Sequence, residues 1–194
     1  PEKSQSWELG IDKGLLDDRL ELRATYFSAE LEDEIATAFK CVQNCDNADW
    51  MDDVWASSPG NIQGISKQKG LELASSWLIN DFFVMDASYT YSDATQEGVD
   101  EVRRANNIGS VNLLWRSTGD FTLNANAQYN GSQTDNGGVT LDAFTLVNLN
   151  ASWTATDKLN VYLRLDNLFD ESYQEVFGYQ TLGFGASLGL RFSL

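Results

Sequence analysis

Between Phe121 and Asn130 apolar and polar side chains alternate without a break. Phe121, Leu123, Ala125, Ala127 and Tyr129 are set against Thr122, Asn124, Asn126, Gln128 and Asn130. A period of two sends successive side chains to opposite faces of a strand, so this stretch specifies one dry face and one wet face. The C-terminal residues 159–194 repeat the pattern twice. Leu159, Val161, Leu163 and Leu165 oppose Asn160, Tyr162, Arg164 and Asp166. Phe184, Ala186, Leu188, Leu190, Phe192 and Leu194 then oppose Gly185, Ser187, Gly189, Arg191 and Ser193, and the dry face runs to the last residue.

Six further segments alternate in the same way, at 7–11, 20–26, 70–79, 83–91, 109–115 and 145–153. The chain therefore predicts about nine antiparallel strands. Short turns near 14–18, 80–81, 117–120 and 154–158 alternate with long polar connections at 32–64, 93–101, 131–142 and 173–183. Tight turns at one end and long loops at the other are the pattern of a meander sewn through a membrane. A soluble up-and-down barrel or sandwich also alternates.

Aromatic side chains favour the membrane. Trp77, Phe83, Trp115, Phe121, Trp153 and Phe192 recur beside the short turns on the dry face, and Tyr26, Tyr89, Tyr91 and Tyr129 lie toward the long loops. Two such girdles suit the two water–lipid interfaces. The opposite face carries Asn, Gln, Ser, Thr, Asp and Arg almost throughout. Arg23, Glu72, Asp86, Arg164, Asp166 and Arg191 all fall on it, in phase with a lumen and out of phase with lipid. An Arg facing lipid at mid-bilayer would cost about 2–4 kcal/mol. The fold expected is all-β: a portion of an antiparallel up-and-down transmembrane β-barrel.

Composition removes other functions. The 194 residues contain 13 Lys and Arg against 29 Asp and Glu, a formal charge of −16. Nucleic acid is excluded as a partner, because its binding depends on cations that neutralise phosphate. The absence of His removes Ser-His-Asp and Cys-His catalysis, so no enzyme is expected. Without His or a second Cys pair, zinc at Cys41 and Cys45 is disfavoured. A small disulfide ring in an oxidising compartment fits those two residues better, with two free thiols as the other reading.

A closed bacterial barrel needs an even strand number, and about nine is odd. Residues 1–194 are therefore expected to form the C-terminal part of one larger barrel domain.

The segment Asp166-Asn-Leu-Phe-Asp-Glu-Ser-Tyr173, with Gly178-Tyr-Gln and the closing strand, resembles the end of TonB-dependent outer-membrane receptors. Pro1-Glu-Lys-Ser and Lys69-Gly-Leu-Glu72 are similar to other landmarks of that family, and Tyr173-Gln-Glu-Val-Phe-Gly-Tyr-Gln180 most resembles its cobalamin branch. The resemblance implies a 22-stranded barrel of which these are the last nine strands. It implies a plug domain and a TonB box, neither of which has a counterpart here. It also implies TonB-coupled uptake of a scarce small-molecule ligand, cobalamin or a ferric siderophore, in the outer membrane of a Gram-negative bacterium. A passive porin or structural barrel is the alternative.

Partners implied by the resemblance are outer-membrane lipid, the plug of the same protein, the TonB complex and the barrel-assembly machinery. Gly189, Phe192 and Leu194 resemble the C-terminal signal read by that machinery, although Leu188 stands where a polar residue is expected. No cofactor is expected apart from calcium. The cobalamin branch binds calcium in extracellular loops, which makes Asp46, Asp49, Asp52 and Asp53 candidate oxygen ligands, although they lack EF-hand spacing. A solvated acidic loop is the competing account. Trp50, Trp55, Phe177 and Tyr179, in the long loops, are candidate ligand contacts.

Overall fold

The structure, a computed structural model, describes residues 1–43, 45, 54–61 and 64–193. Its strands are β1 (Lys3–Leu15), β2 (Leu20–Glu32), β3 (Ile35–Gln43), β4 (Val54–Asn61), β5 (Ile65–Asn80), β6 (Phe83–Gln96) and β7 (Val99–Asp100). They continue with β8 (Asn107–Arg116), β9 (Phe121–Asn130), β10 (Gln133–Asp135), β11 (Val139–Leu141), β12 (Phe144–Thr156), β13 (Leu159–Asp166) and β14 (Gly185–Phe192). Among the described residues one antiparallel sheet runs β1-β2-β5-β6-β8-β9-β12-β13-β14, with the two-residue β7 appended to β6. The nine long strands expected from alternation are these nine. β1 pairs only with β2 and β14 only with β13, so the sheet is open at both edges and the barrel is not closed.

Register carries the two faces across the sheet, because directly paired residues point the same way. On one side Met85 of β6 pairs with Trp77 and Leu113, Ala87 with Ser75 and Val111, and Tyr89 with Leu73 and Gly109. On the other, Asp86 pairs with Ser76 and Asn112, Asn112 with Asn126, and Asn126 with Asn148. Near the short turns Phe83 and Trp115 stack at 6.3 Å between ring centroids, and Trp115 meets Phe121 at 5.7 Å. Leu9, Ile11, Val111, Leu188 and Leu190 all stand exposed on the apolar face, which is what lipid-facing side chains require.

β5 has 16 residues, more than the roughly 9–11 a tilted strand needs to span hydrocarbon. The excess lies past the tyrosines, and there the outward face changes character. Lys69 pairs with Asp93 at 3.2 Å, Lys67 with Glu30 at 3.0 Å and Lys3 with Glu32 at 3.6 Å. Charges return where the lipid ends.

Residues 32–64, expected as a polar loop, are corrected by the structure. β3 and β4 form a separate antiparallel hairpin, with Cys41 opposite Trp55. Residues 131–142 likewise hold the short hairpin β10–β11.

Three of the four short turns are closed by side chains at their own start. Asn80 Oδ1 accepts from the N–H groups of Phe82 (2.9 Å) and Phe83 (3.0 Å). Ser117 Oγ accepts from Gly119 and Phe121, both at 3.2 Å. Thr156 Oγ1 does the same for Lys158 (3.3 Å) and Leu159 (3.1 Å). Each satisfies two backbone donors that the turn would leave free.

Candidate functional site

Burial marks the other end. Among the described residues, the buried ones apart from glycine are Ala94, Ala105, Asp135, Leu141, Phe144 and Asn167, and all lie toward the long loops. Ala94 and Phe144 share the lumen face of the sheet, since Ala94 pairs with Gln68 and Phe144 with Asn130. The loops therefore fold inward over the mouth. Glu101 N donates to Ala94 O at 3.0 Å, which carries the β6–β7 pairing one residue further and starts the β7–β8 connection beside β6. Phe144 and Tyr173 lie 4.4 Å apart, which brings the β13–β14 loop onto β12.

Three cavities line this mouth. One of about 690 Å³ opens between β2, β5, β6 and the β7–β8 loop, with Glu34, Gln68, Gln96, Val99, Glu101 and Arg104 on its walls. A second, about 250 Å³, lies on the other side of that loop, shares Glu101 and Arg104, and reaches Gln133 and Thr140. A third, about 270 Å³, is bounded by Phe144, Tyr173 and Phe177. The first has the size of a small-molecule site. Glu34, Asp100, Glu101 and Arg104 are its charged residues on the loop side, three acids to one base.

The segment 166–170 sets the base of the β13–β14 loop. Asn167 sits in the left-handed region at φ 47°, which Asn adopts more readily than most residues. Its N–H donates to Asn148 Oδ1 (2.9 Å), its Nδ2 to Glu171 O (2.9 Å), and its Oδ1 accepts from Glu171 N (2.8 Å). Asp170 Oδ1 accepts from Phe184 N at 2.7 Å, just before β14 begins. The motif fixes both the exit and the return of the loop.

Asp135 is 1% exposed and joins three loops. Its Oδ1 accepts from Arg103 Nε and from Asn136 N, both at 2.6 Å, and its Oδ2 from Phe177 N at 2.7 Å. The Phe177 N–H, ahead of the opposing effect of burial, holds this carboxyl below its ordinary range, and Asn136 and Arg103 add to the shift.

The charges expected on the lumen side do share one face. Arg23 pairs with Asp12 at 2.7 Å, Asp86 accepts from Ser76 Oγ at 2.7 Å, and Arg164 holds Asp166 at 2.8 and 2.9 Å. Arg191 lies over the Tyr162 ring at 5.2 Å, and Glu72 sits between Thr25 and Thr90. They are spread along the wall and form no cluster. Trp55, Phe177 and Tyr179 are exposed, but Trp55 lies on the β3–β4 hairpin, apart from the other two in the fold. Cys41 and Cys45 are joined, with Cα atoms 5.8 Å apart. Gly189 of β14 faces Tyr162, and Phe192 points outward. Asp46, Asp49, Trp50, Asp52, Asp53 and Leu194 lie outside the described residues.

The sequence reading missed Asp135, Arg103, Asn148 and the structural role of Asn167. Asp135 preceding Asn-Gly-Gly was visible as a turn start. Its bonds to Arg103 and Phe177, 32 and 42 positions away, carried no local signal.

Comparison with known proteins fits this geometry. The model of the TonB-dependent receptor-like β-barrel matches residues 1–168. The chain belongs to this family. It is 30% identical over 198 residues to the vitamin B12 transporter BtuB of Photobacterium profundum, covering 99% of this chain and 30% of that protein. It is 30% identical over 185 residues to BtuB of Vibrio vulnificus, covering 90% of this chain and 26% of the relative. The pyoverdine receptor FpvA of Pseudomonas aeruginosa PAO1, bound to pyoverdine, superposes with a TM-score of 0.73 at 20% identity, over 100% of this chain and 30% of the other. The chain thus spans under a third of the relatives it matches, and the fold it shares with them is part of their barrel.

Proposed function

We propose that this chain is the C-terminal barrel portion of an outer-membrane receptor that imports a scarce ligand with energy from the TonB complex, cobalamin being the first candidate. The inward-folded mouth carries this reading. A passive porin profits from an open lumen, whereas here loops are packed over the polar face and border an open cavity of about 690 Å³. The polar lumen wall, with its amide rows at Asn112, Asn126 and Asn148, offers donors and acceptors to a plug domain of the same protein. Outer-membrane lipid covers the apolar face, and the barrel-assembly machinery inserts the whole.

The test is uptake of radiolabelled cyanocobalamin by cells whose only cobalamin receptor is the whole protein containing this chain. Saturable uptake that disappears when TonB is deleted supports the proposal. Uptake of a ferric siderophore in place of cyanocobalamin would keep the mechanism and change the ligand. TonB-independent diffusion of small solutes would establish the porin alternative.

A further inference from the structure

We propose that Asp135 is the positioning residue of the mouth, its buried carboxylate tying three separate loops into one unit and so setting where segment 173–182 stands over the lumen. The inference rests on the mouth being the ligand-binding surface. Segment 173–182 contains neither strand nor helix, so no ladder of backbone bonds determines its course. What holds it is tertiary. Phe177 N reaches Asp135 at 2.7 Å, Glu175 O accepts from Gln133 Nε2 at 3.0 Å, and the Tyr173 ring rests on Phe144. Within the segment Thr181 Oγ1 closes back onto Tyr173 O at 2.7 Å.

The same carboxylate holds the β7–β8 loop through Arg103, whose backbone N–H also donates to Thr134 O at 2.7 Å. That loop is the wall shared by the two cavities of about 690 and 250 Å³. A buried carboxylate is stable only while its acceptor sites are filled, and here three donors from three segments fill them. Loss of one arm therefore weakens the others. Phe177 meanwhile remains 57% exposed and Tyr179 72% exposed. Backbone held and ring free is the arrangement of a preorganised contact, in which ordering is complete before the ligand arrives.

The whole receptor in intact cells tests this with Asp135→Ala and Arg103→Ala, read in two ways. Chymotrypsin added outside reports access to Phe177 and Tyr179, and binding of radiolabelled cyanocobalamin reports half-saturation and the number of sites. Asp135→Ala is expected to speed cleavage and raise half-saturation about tenfold each, the ratio that loss of one charge-assisted hydrogen bond gives, with capacity per receptor unchanged. Arg103→Ala, which spares the bond from Phe177, should shift both in the same direction by less. Should Asp135→Ala fail to reach the membrane, Arg103→Ala carries the test alone. Wild-type cleavage rates in the variants, or fewer sites at unchanged half-saturation, would overturn the proposal. If the wild-type receptor binds no cyanocobalamin, the ligand class falls, and the chymotrypsin rates still decide the role of Asp135.

Discussion

At the turn end of the sheet, Asn80, Ser117 and Thr156 each bond to backbone groups two to four residues ahead. At the loop end, Asp135 bonds to groups 32 and 42 residues away, and Asn167 reaches back 19 residues to Asn148. The turns are a local code repeated three times, and the mouth is a single construction whose parts come from three connections. A turn therefore fails by itself, whereas the mouth fails as a unit. Between the two ends the bilayer imposes its own rule, one face for lipid and one for the lumen.

That rule supplies the largest expected effect. Val111 and Asn112 are adjacent in β8 and point to opposite faces. Val111→Arg should destabilise the barrel by about 2–4 kcal/mol in urea unfolding from phospholipid vesicles, and Asn112→Arg by less than about 1 kcal/mol. Equal costs would break the assignment of the faces.

Next comes the base of the long loop. Asn167→Ala removes three side-chain hydrogen bonds, the one to Leu182 O being long at 3.4 Å, from a buried position and places Ala at a positive φ. A local loss of about 1–3 kcal/mol is expected, visible as faster hydrogen exchange in residues 168–184 while β9 and β12 stay protected. Exchange rising across the whole sheet would show that the mouth and the strands form one cooperative unit.

Ser117→Ala should cost only about 0.5–1 kcal/mol, since its turn is exposed and its two bonds are long. Protection of the loops from chymotrypsin should not change in that variant. The smallest effect is with pH. The Asp135 carboxyl is held below its ordinary range, so what it adds to stability is complete above about pH 4 and falls away only as acidity passes its lowered value. Chymotrypsin protection measured on receptor equilibrated between about pH 7 and pH 4.5 should be constant, and loss within that interval would point to another group.

Legibility in the sequence followed the membrane. Where strands cross lipid, the contrast between faces is enforced, and Phe121 to Asn130 could be assigned residue by residue. Past the tyrosines nothing enforces it. β1 begins Lys3-Ser-Gln-Ser, polar on both faces, and β3 reads Ile35-Ala-Thr-Ala-Phe, with apolar residues on both. The true start of β1 and the β3–β4 hairpin went unseen for this reason. The 166–170 motif is legible in the sequence as a family landmark, but its work depends on Asn148 and Phe184, which only the fold brings beside it.

The sequence by itself determined the nine long strands, their two faces, the short turns and the aromatic girdles, because each depends on neighbours within a few positions or on the common boundary of the bilayer. Only the tertiary structure decided that the long loops fold inward, that Asp135 binds three of them, and that Phe177 and Tyr179 are presented from a fixed backbone. Those outcomes depend on pairs such as Arg103 with Asp135 and Asp135 with Phe177. Nothing in the periodicity of either partner names the other, and the contact exists only once the sheet has brought their loops to the same end.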